Sequence, residues 1–122
     1  MAKVLVVDDS PLARQLVRAA ITTVLGRADF LEAGDGAAAL RLLMSNSVDL
    51  VVCDLNMPVM DGHALLARLR GLPTHRRTPV IILSSLVNDA KVTQLRAVGA
   101  DVVMKKPFSN QQIRDGLKAV GL

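Results

Sequence analysis

Tryptophan and tyrosine are absent from this chain, and Phe30 and Phe108 are its only aromatic residues. That excludes a stacking platform for single-stranded nucleic acid, which lays its bases on successive aromatic rings. Cysteine is nearly absent as well. The single Cys53 rules out an internal disulfide and a cysteine-rich zinc site, and its place within an apolar run marks it as packing. No apolar stretch is long enough to span a bilayer. The first residues run straight into an apolar segment ending in two aspartates, unlike the basic start and small-residue cleavage site of a signal peptide. A cytoplasmic location without membrane insertion is therefore the expectation. Linkers, internal repeats and low-complexity segments are also lacking, so residues 1–122 are expected to form one domain. With 51% hydrophobic residues in 122, the chain can bury a core without staples.

The net charge is +4, but Lys and Arg are scattered from Lys3 to Lys118. Their densest group, Arg68, Arg70, Arg76 and Arg77, surrounds one loop rather than lining a helix face. This reads as a solvated basic surface, with no nucleic acid as a direct partner.

What the chain does contain is regular alternation of strand and helix patterns. Val4 to Val7 is a first apolar run, and Ser10-Pro11 then starts a helix, with Ser10 as N-cap and Pro11 at the first helical position. Leu12, Leu16, Ala19, Ala20 and Val24 recur at helical spacing, and Gly26 closes the element. Phe30 to Ala33 forms a short second strand. Asp35-Gly36 opens a helix reaching Met44, with Leu40, Leu43 and Met44 as its apolar side. The run from Asp49 to Asp54 reads as a central strand covered on both faces. After a break at Met57 to Gly62, Leu65, Leu66 and Leu69 mark a third helix that ends at Gly71-Leu72-Pro73. Val80 to Leu83, Asp89 to Val98 and Val102 to Met104 continue the alternation, and a last helix begins near Ser109, which stands at capping-box spacing from Gln112.

Five strands alternating with five helices predict an α/β fold: a doubly wound, five-stranded parallel sheet of order 2-1-3-4-5, the flavodoxin-like arrangement. In such a sheet the carboxyl ends of the strands share one edge. Asp8 and Asp9 after the first strand, Asp54 at the end of the third, and a lysine after the fifth then converge on one crevice. Clustered carboxylates repel one another unless a cation neutralises them, so the crevice suits a divalent cation and a phosphoryl group. Adjacent side chains on a strand point to opposite faces, so only one of Lys105 and Lys106 reaches it. His63, at a helix start, and His75, in the basic loop, read as surface or helix-end residues.

Asp8-Asp9-Ser10, Asp54-Leu-Asn-Met-Pro58, Met60-Asp61-Gly62, Ser84 and Lys106-Pro107-Phe108, met in that order on an alternating β/α chain, resemble the CheY-like receiver domains of bacterial response regulators. The resemblance covers essentially the whole length. It implies phosphorylation of Asp54 by a sensor histidine kinase or phosphotransfer protein, and a switch that changes binding to a downstream protein target rather than an enzyme. It implies Mg²⁺ as cofactor, with Asp9 and Asp54 as direct ligands, Asp8 acting mainly through water and Asn56 offering its backbone carbonyl. By the same likeness Ser84 and Lys106 contact the phosphate, and Lys106-Pro107 is a cis peptide that aims the lysine inward. Lys106 is chosen over Lys105 because it directly precedes Pro107.

Some positions depart from the family's pattern or tune it. Ser84-Ser85-Leu86 is similar to the receiver part of chemotaxis methylesterases, although no esterase domain follows. Asn56 and Leu86 stand where the family tunes attack of water on the phosphoaspartate, which implies a lifetime at neither extreme. A Mg²⁺-dependent aspartyl-phosphate phosphatase of the haloacid dehalogenase type is the alternative enzyme reading. Asn56 replaces the acid such enzymes carry two residues after their nucleophile, and no cap domain is present. A receiver portion of a longer chemotaxis or DNA-binding regulator is the other alternative, but no helix-turn-helix follows.

Val103 occupies the place of the family's switching aromatic in the fifth strand. Its β-branched side chain is too small and stiff for a large rotamer swing. Phosphorylation is therefore expected to shift the fourth helix and neighbouring loops, with little movement at Val103. Structures with and without a phosphoryl mimic test this, and an unchanged backbone in both segments would refute it.

Overall fold

Every helix begins on a side chain able to accept a hydrogen bond from the first turn. Ser10, Asp35, Asp61, Asn88 and Ser109 each accept a backbone N–H three residues further on. Such caps satisfy an orphan donor and contribute about 1 kcal/mol apiece. The capping box of Ser109 and Gln112 is complete, because Gln112 accepts the Ser109 N–H in return.

The computed structural model describes residues 1–122. Its strands are β1 (Lys3–Val7), β2 (Asp29–Ala33), β3 (Leu50–Asp54), β4 (Val80–Ser84) and β5 (Val102–Lys105), and its helices are α1 (Pro11–Leu25), α2 (Gly36–Ser45), α3 (Gly62–Arg70), α4 (Asp89–Val98) and α5 (Asn110–Ala119). A short 3-10 turn at Pro73–His75 was not anticipated. All strand pairs are parallel, and their order is β2-β1-β3-β4-β5. No helix is long and apolar enough to cross a membrane.

The pleat sorts the apolar strand residues between two cores. Leu5, Val7, Val51, Cys53, Val80 and Ile82 face α2, α3 and α4, through Leu43, Leu65, Leu69 and Leu95 among others. Val4, Val6, Leu50, Val52, Ile81 and Leu83 face α1 and α5, where Val17, Ile21, Ile113 and Leu117 cover them. The same alternation separates the two lysines: Met104 belongs to the α1/α5 side and Val103 to the other, so Lys105 and Lys106 diverge.

Helix α1 turns a different face inward from the one its leucines suggested. Val17, Ala20 and Ile21 are buried, whereas Leu12 and Leu16 are 65% and 58% exposed. On α2 Leu43 is buried, but Met44 is 75% exposed. Both helices are apolar on more than one side, and contact with the sheet and the neighbouring helix selects the face.

Two residues of the basic loop are structural. The Arg70 guanidinium donates to the carbonyls of His75, Thr78 and Gly99 and pairs with Asp101 at 3.2 Å. It thereby ties α3 to the starts of β4 and β5. Gly99 is required beside it: its φ is +123°, and a Cβ there would lie 2.7 Å from Arg70 Nε. His75 is only 1% exposed, which corrects its reading as a surface residue. Its Nε2 lies 2.8 Å from the Leu43 carbonyl and its Nδ1 2.9 Å from the Thr78 hydroxyl. A carbonyl only accepts, so Nε2 carries the proton, and in the neutral ring Nδ1 accepts from Thr78. The ring thus stitches the end of α2 to the loop before β4.

Arg70→Ala should lower the unfolding free energy by about 2–4 kcal/mol, since it leaves backbone acceptors unpaired at a half-buried junction. The exposed Arg68→Ala should change it by less than about 0.5 kcal/mol. Urea denaturation distinguishes the two, and equal effects would contradict a clasp role for Arg70.

Candidate functional site

The carboxyl edge of the sheet collects the polar groups. β1 ends at Val7 and β3 at Asp54, and the register Val7 to Cys53 places these ends side by side. Asp8 then follows β1 directly, held by its own N–H donating to the Ala33 carbonyl at 3.1 Å. One carboxylate oxygen from each of Asp8, Asp9 and Asp54 lies within 4.8 Å of the others. Asp8 is buried, Asp54 is 7% exposed, and Asp9 is open to solvent.

Lys106 enters from the far strand. It follows the last residue of β5 directly and precedes the cis Lys106-Pro107 peptide, and its Nζ lies 3.0 Å from Asp8 Oδ2 and 3.0 Å from Asp54 Oδ1. The remaining Asp8 oxygen accepts the Ser10 N–H at 2.9 Å, so Asp8 also fixes the entry to α1. Asp54 is anchored from below. The Cys53 thiol donates to its carbonyl at 3.2 Å, and burial, then the charges of Asp54, Asp8 and Asp61, push that thiol well above the ordinary range. It stays protonated and inert. α3 packs equally close: a Cβ on Gly62 would lie 2.6 Å from the Asp54 carbonyl oxygen, so only glycine lets the helix approach the acid.

Burial raises the Asp54 pKa, and the negative charges of Asp8 and Asp9 add to the rise, while the hydrogen bond and charge of Lys106 oppose it. For Lys106, burial is the largest influence and acts downward, yet its bonds to Asp8 and Asp54 and their charges together hold it above its ordinary value. The lysine is therefore a fixed cation shared by two acids.

The other residues singled out in the sequence are less closely gathered. Ser84 ends β4 and is buried, but its hydroxyl donates to the Leu86 carbonyl at 3.0 Å and accepts the Leu86 N–H at 3.2 Å. It caps its own loop. Asn56 and Ser85 are exposed, and Leu86 is 79% exposed. Val103 is half-buried opposite Ile82. Pro107 and Ser85 line, with Lys106 and Phe108, a cavity of about 620 Å³ against α1. The loop after Asp54 carries Val59 at φ 68°, a strained conformation for a β-branched residue.

One contributor escaped the sequence reading. Arg14 donates from Nη1 to the Asp8 carbonyl at 2.6 Å and from Nε to Glu32 at 3.0 Å. The available signal was a cation near the start of a helix, where the dipole disfavours positive charge.

All three clustered acids offer hard oxygen donors, and the only thiol nearby is buried and protonated. That set fits a hard divalent cation and not a soft metal. Fold and site together define a doubly wound α/β domain with an acidic edge, able to hold a divalent cation, that is bridged by one lysine. The family model described as "Response regulator receiver domain" matches residues 4–118, and the chain belongs to that family. A probable chemotaxis protein CheY of Rhizobium etli is 35% identical over 97% of this chain and 91% of its own length. Protein PilG of Pseudomonas aeruginosa is 32% identical over 96% of this chain and 85% of its own length. The structure of Vibrio cholerae chemotaxis protein CheY4 superposes with a TM-score of 0.90 at 32% identity, covering 98% of both chains. The chain is thus a two-component signalling switch of the CheY-like kind.

In the metal-free protein, the Asp54 side chain should titrate above an ordinary aspartate, following the raised direction found here. Its protonated, non-nucleophilic form then persists to higher pH on the acid side. Lys106→Met removes the opposing hydrogen bond and charge and should raise the midpoint further. Carboxyl-carbon NMR titration measures both, and a wild-type midpoint at or below the ordinary value would contradict the burial argument.

Proposed function

We propose that Asp54 is the phosphoacceptor of this switch, that Mg²⁺ is the cation of the acidic edge, and that a sensor histidine kinase or a phosphotransfer protein supplies the phosphoryl group. One observation carries the reading: Lys106 Nζ stands 3.0 Å from both Asp8 and Asp54 while Asp9 completes the carboxylate cluster. That arrangement supports charge neutralisation and positioning, which phosphoryl transfer needs most.

In the proposed step an Asp54 carboxylate oxygen forms a bond to phosphorus as the bond from phosphorus to the donor's imidazole nitrogen breaks. The electron pair of that bond stays on the imidazole ring. Lys106, held as a cation, exchanges its contact with Asp54 for a phosphoryl oxygen. Ser84 turns its hydroxyl from the Leu86 carbonyl to the same group, which releases the β4–α4 loop. Asp8 and Asp9, with Asp54 and the Asn56 backbone carbonyl, hold the cation, which when bound neutralises charge on the carboxylates and the phosphoryl oxygens.

On this reading the chain is no enzyme for an external substrate, but a phosphoacceptor that assists its own modification. It works in the cytoplasm, with residues 1–122 forming a receiver domain, and its output is a changed affinity for a downstream protein. Ser85, Leu86, Val103 and Pro107 border the segments that move.

The test is incubation with acetyl phosphate and Mg²⁺, followed by intact-mass measurement. Wild type should gain one phosphoryl group, Asp54→Ala none, and Lys106→Ala should react roughly a hundredfold more slowly. Modification that survives in Asp54→Ala would overturn the assignment. Sustained turnover of a phosphomonoester would instead favour a phosphatase.

A further inference from the structure

We infer that Arg14 is a positioning residue for the cation site, fixing the peptide between Asp8 and Asp9 so that both carboxylates meet Asp54. The inference rests on the proposal that these three acids hold a divalent cation.

Asp8 and Asp9 lie on a three-residue link between β1 and α1, and the two acids are fixed unequally. The Asp8 side chain is tied to Lys106 and to the Ser10 N–H. Asp9 is solvent-exposed, and its direction depends on the plane of the peptide before it. The carbonyl of that peptide accepts the Arg14 Nη1–H at 2.6 Å.

Arg14 is itself aimed from two sides. Its own N–H donates to the Ser10 carbonyl at 3.1 Å, which places it within the first turns of α1. Its Nε donates to Glu32 on β2, whose other oxygen pairs with Arg18 at 2.9 Å. Arg18 in turn lies over the Phe30 ring, 5.1 Å from its centre. The planar guanidinium thus spans from β2 to the acidic loop and presents different N–H groups to each. A lysine ammonium on a flexible stem does not reproduce that fork.

Two effects of this residue act in opposite directions. As a positive charge beside an acidic cluster, Arg14 opposes a divalent cation, so Coulomb's law alone predicts tighter binding when it is removed. As the group that holds the Asp8–Asp9 peptide, it pre-organises the ligands, and its loss predicts weaker binding. An ordinary surface ion pair with Glu32 would leave cation affinity almost unmoved.

Calorimetric titration of Mg²⁺ into the purified protein separates these cases. Arg14→Gln should bind about tenfold more weakly than wild type, and Arg14→Lys should also weaken binding although the charge is kept. Arg18→Gln, which shares Glu32 but does not touch the loop, should keep wild-type affinity. In the metal-free proteins the Asp9 amide resonance should shift in both Arg14 variants and stay in place in Arg18→Gln. Unchanged or tighter binding by Arg14→Gln overturns the inference while leaving the cation site standing. Absence of Mg²⁺ binding in wild type overturns both together. Should Arg14→Gln fail to fold, Arg14→Lys decides, and wild-type affinity with an unshifted Asp9 amide refutes the positioning role.

Discussion

Three carboxylates gathered at one sheet edge repel each other, and the Lys106 ammonium standing 3.0 Å from both Asp8 and Asp54 offsets that repulsion from within the fold. The ends of the chain's β1, β3 and β5 meet at that one side chain. Removing it would leave a buried Asp8 and a nearly buried Asp54 facing each other uncompensated, a situation that costs far more than a lost surface pair. The site is therefore part of the fold's own electrostatic balance. Burial, and then the charges of Asp8 and Asp9, hold the Asp54 pKa above its ordinary value against the opposing Lys106 contact.

Much of this was legible before any coordinates. The strand order follows from the alternation of elements, and the helix starts follow from Ser10, Asp35 and Ser109, because caps and periodicity are local properties. Asp8, Asp9, Asp54 and Lys106 could be placed together because parallel topology puts all strand ends on one edge. Contacts between residues distant in sequence and without periodic spacing were not legible. His75 reaches the Leu43 carbonyl across 32 positions and Arg70 reaches Gly99 across 29, and nothing local to either residue encodes its partner. The inward face of α1 was misjudged for a related reason. Leu12 and Leu16 make as good a stripe as Val17, Ala20 and Ile21, and only docking against the sheet and α5 breaks the tie.

Ser84 shows where topology fixes a position but not a state. Its place at the end of β4 follows from the strand pattern, yet its hydroxyl is satisfied within its own loop by Leu86. A hydroxyl both donates and accepts, so it can exchange one partner for another at small net cost. That exchange is available only because the loop it would release is exposed, with Leu86 pointing to solvent.

The two ends of α4 differ in what must break for them to move. At its C-terminal end, Gly99 is locked against Arg70, whose guanidinium also grips the carbonyls of His75 and Thr78 and the Asp101 carboxylate. Displacing that end would sever several charge-assisted hydrogen bonds at a half-buried junction. At the N-terminal end, the helix is tethered by the Asn88 cap and, through its loop, by the Ser84 hydroxyl. Each of those is worth only about 1 kcal/mol net. A perturbation arriving at Asp54 meets this weaker end first, because β4 carries Ser84 to the same edge. With Val103 offering no ring to swing, the low-cost response is a pivot of the β4–α4 loop and the first turn of α4 about the Arg70 clasp, leaving the sheet in register.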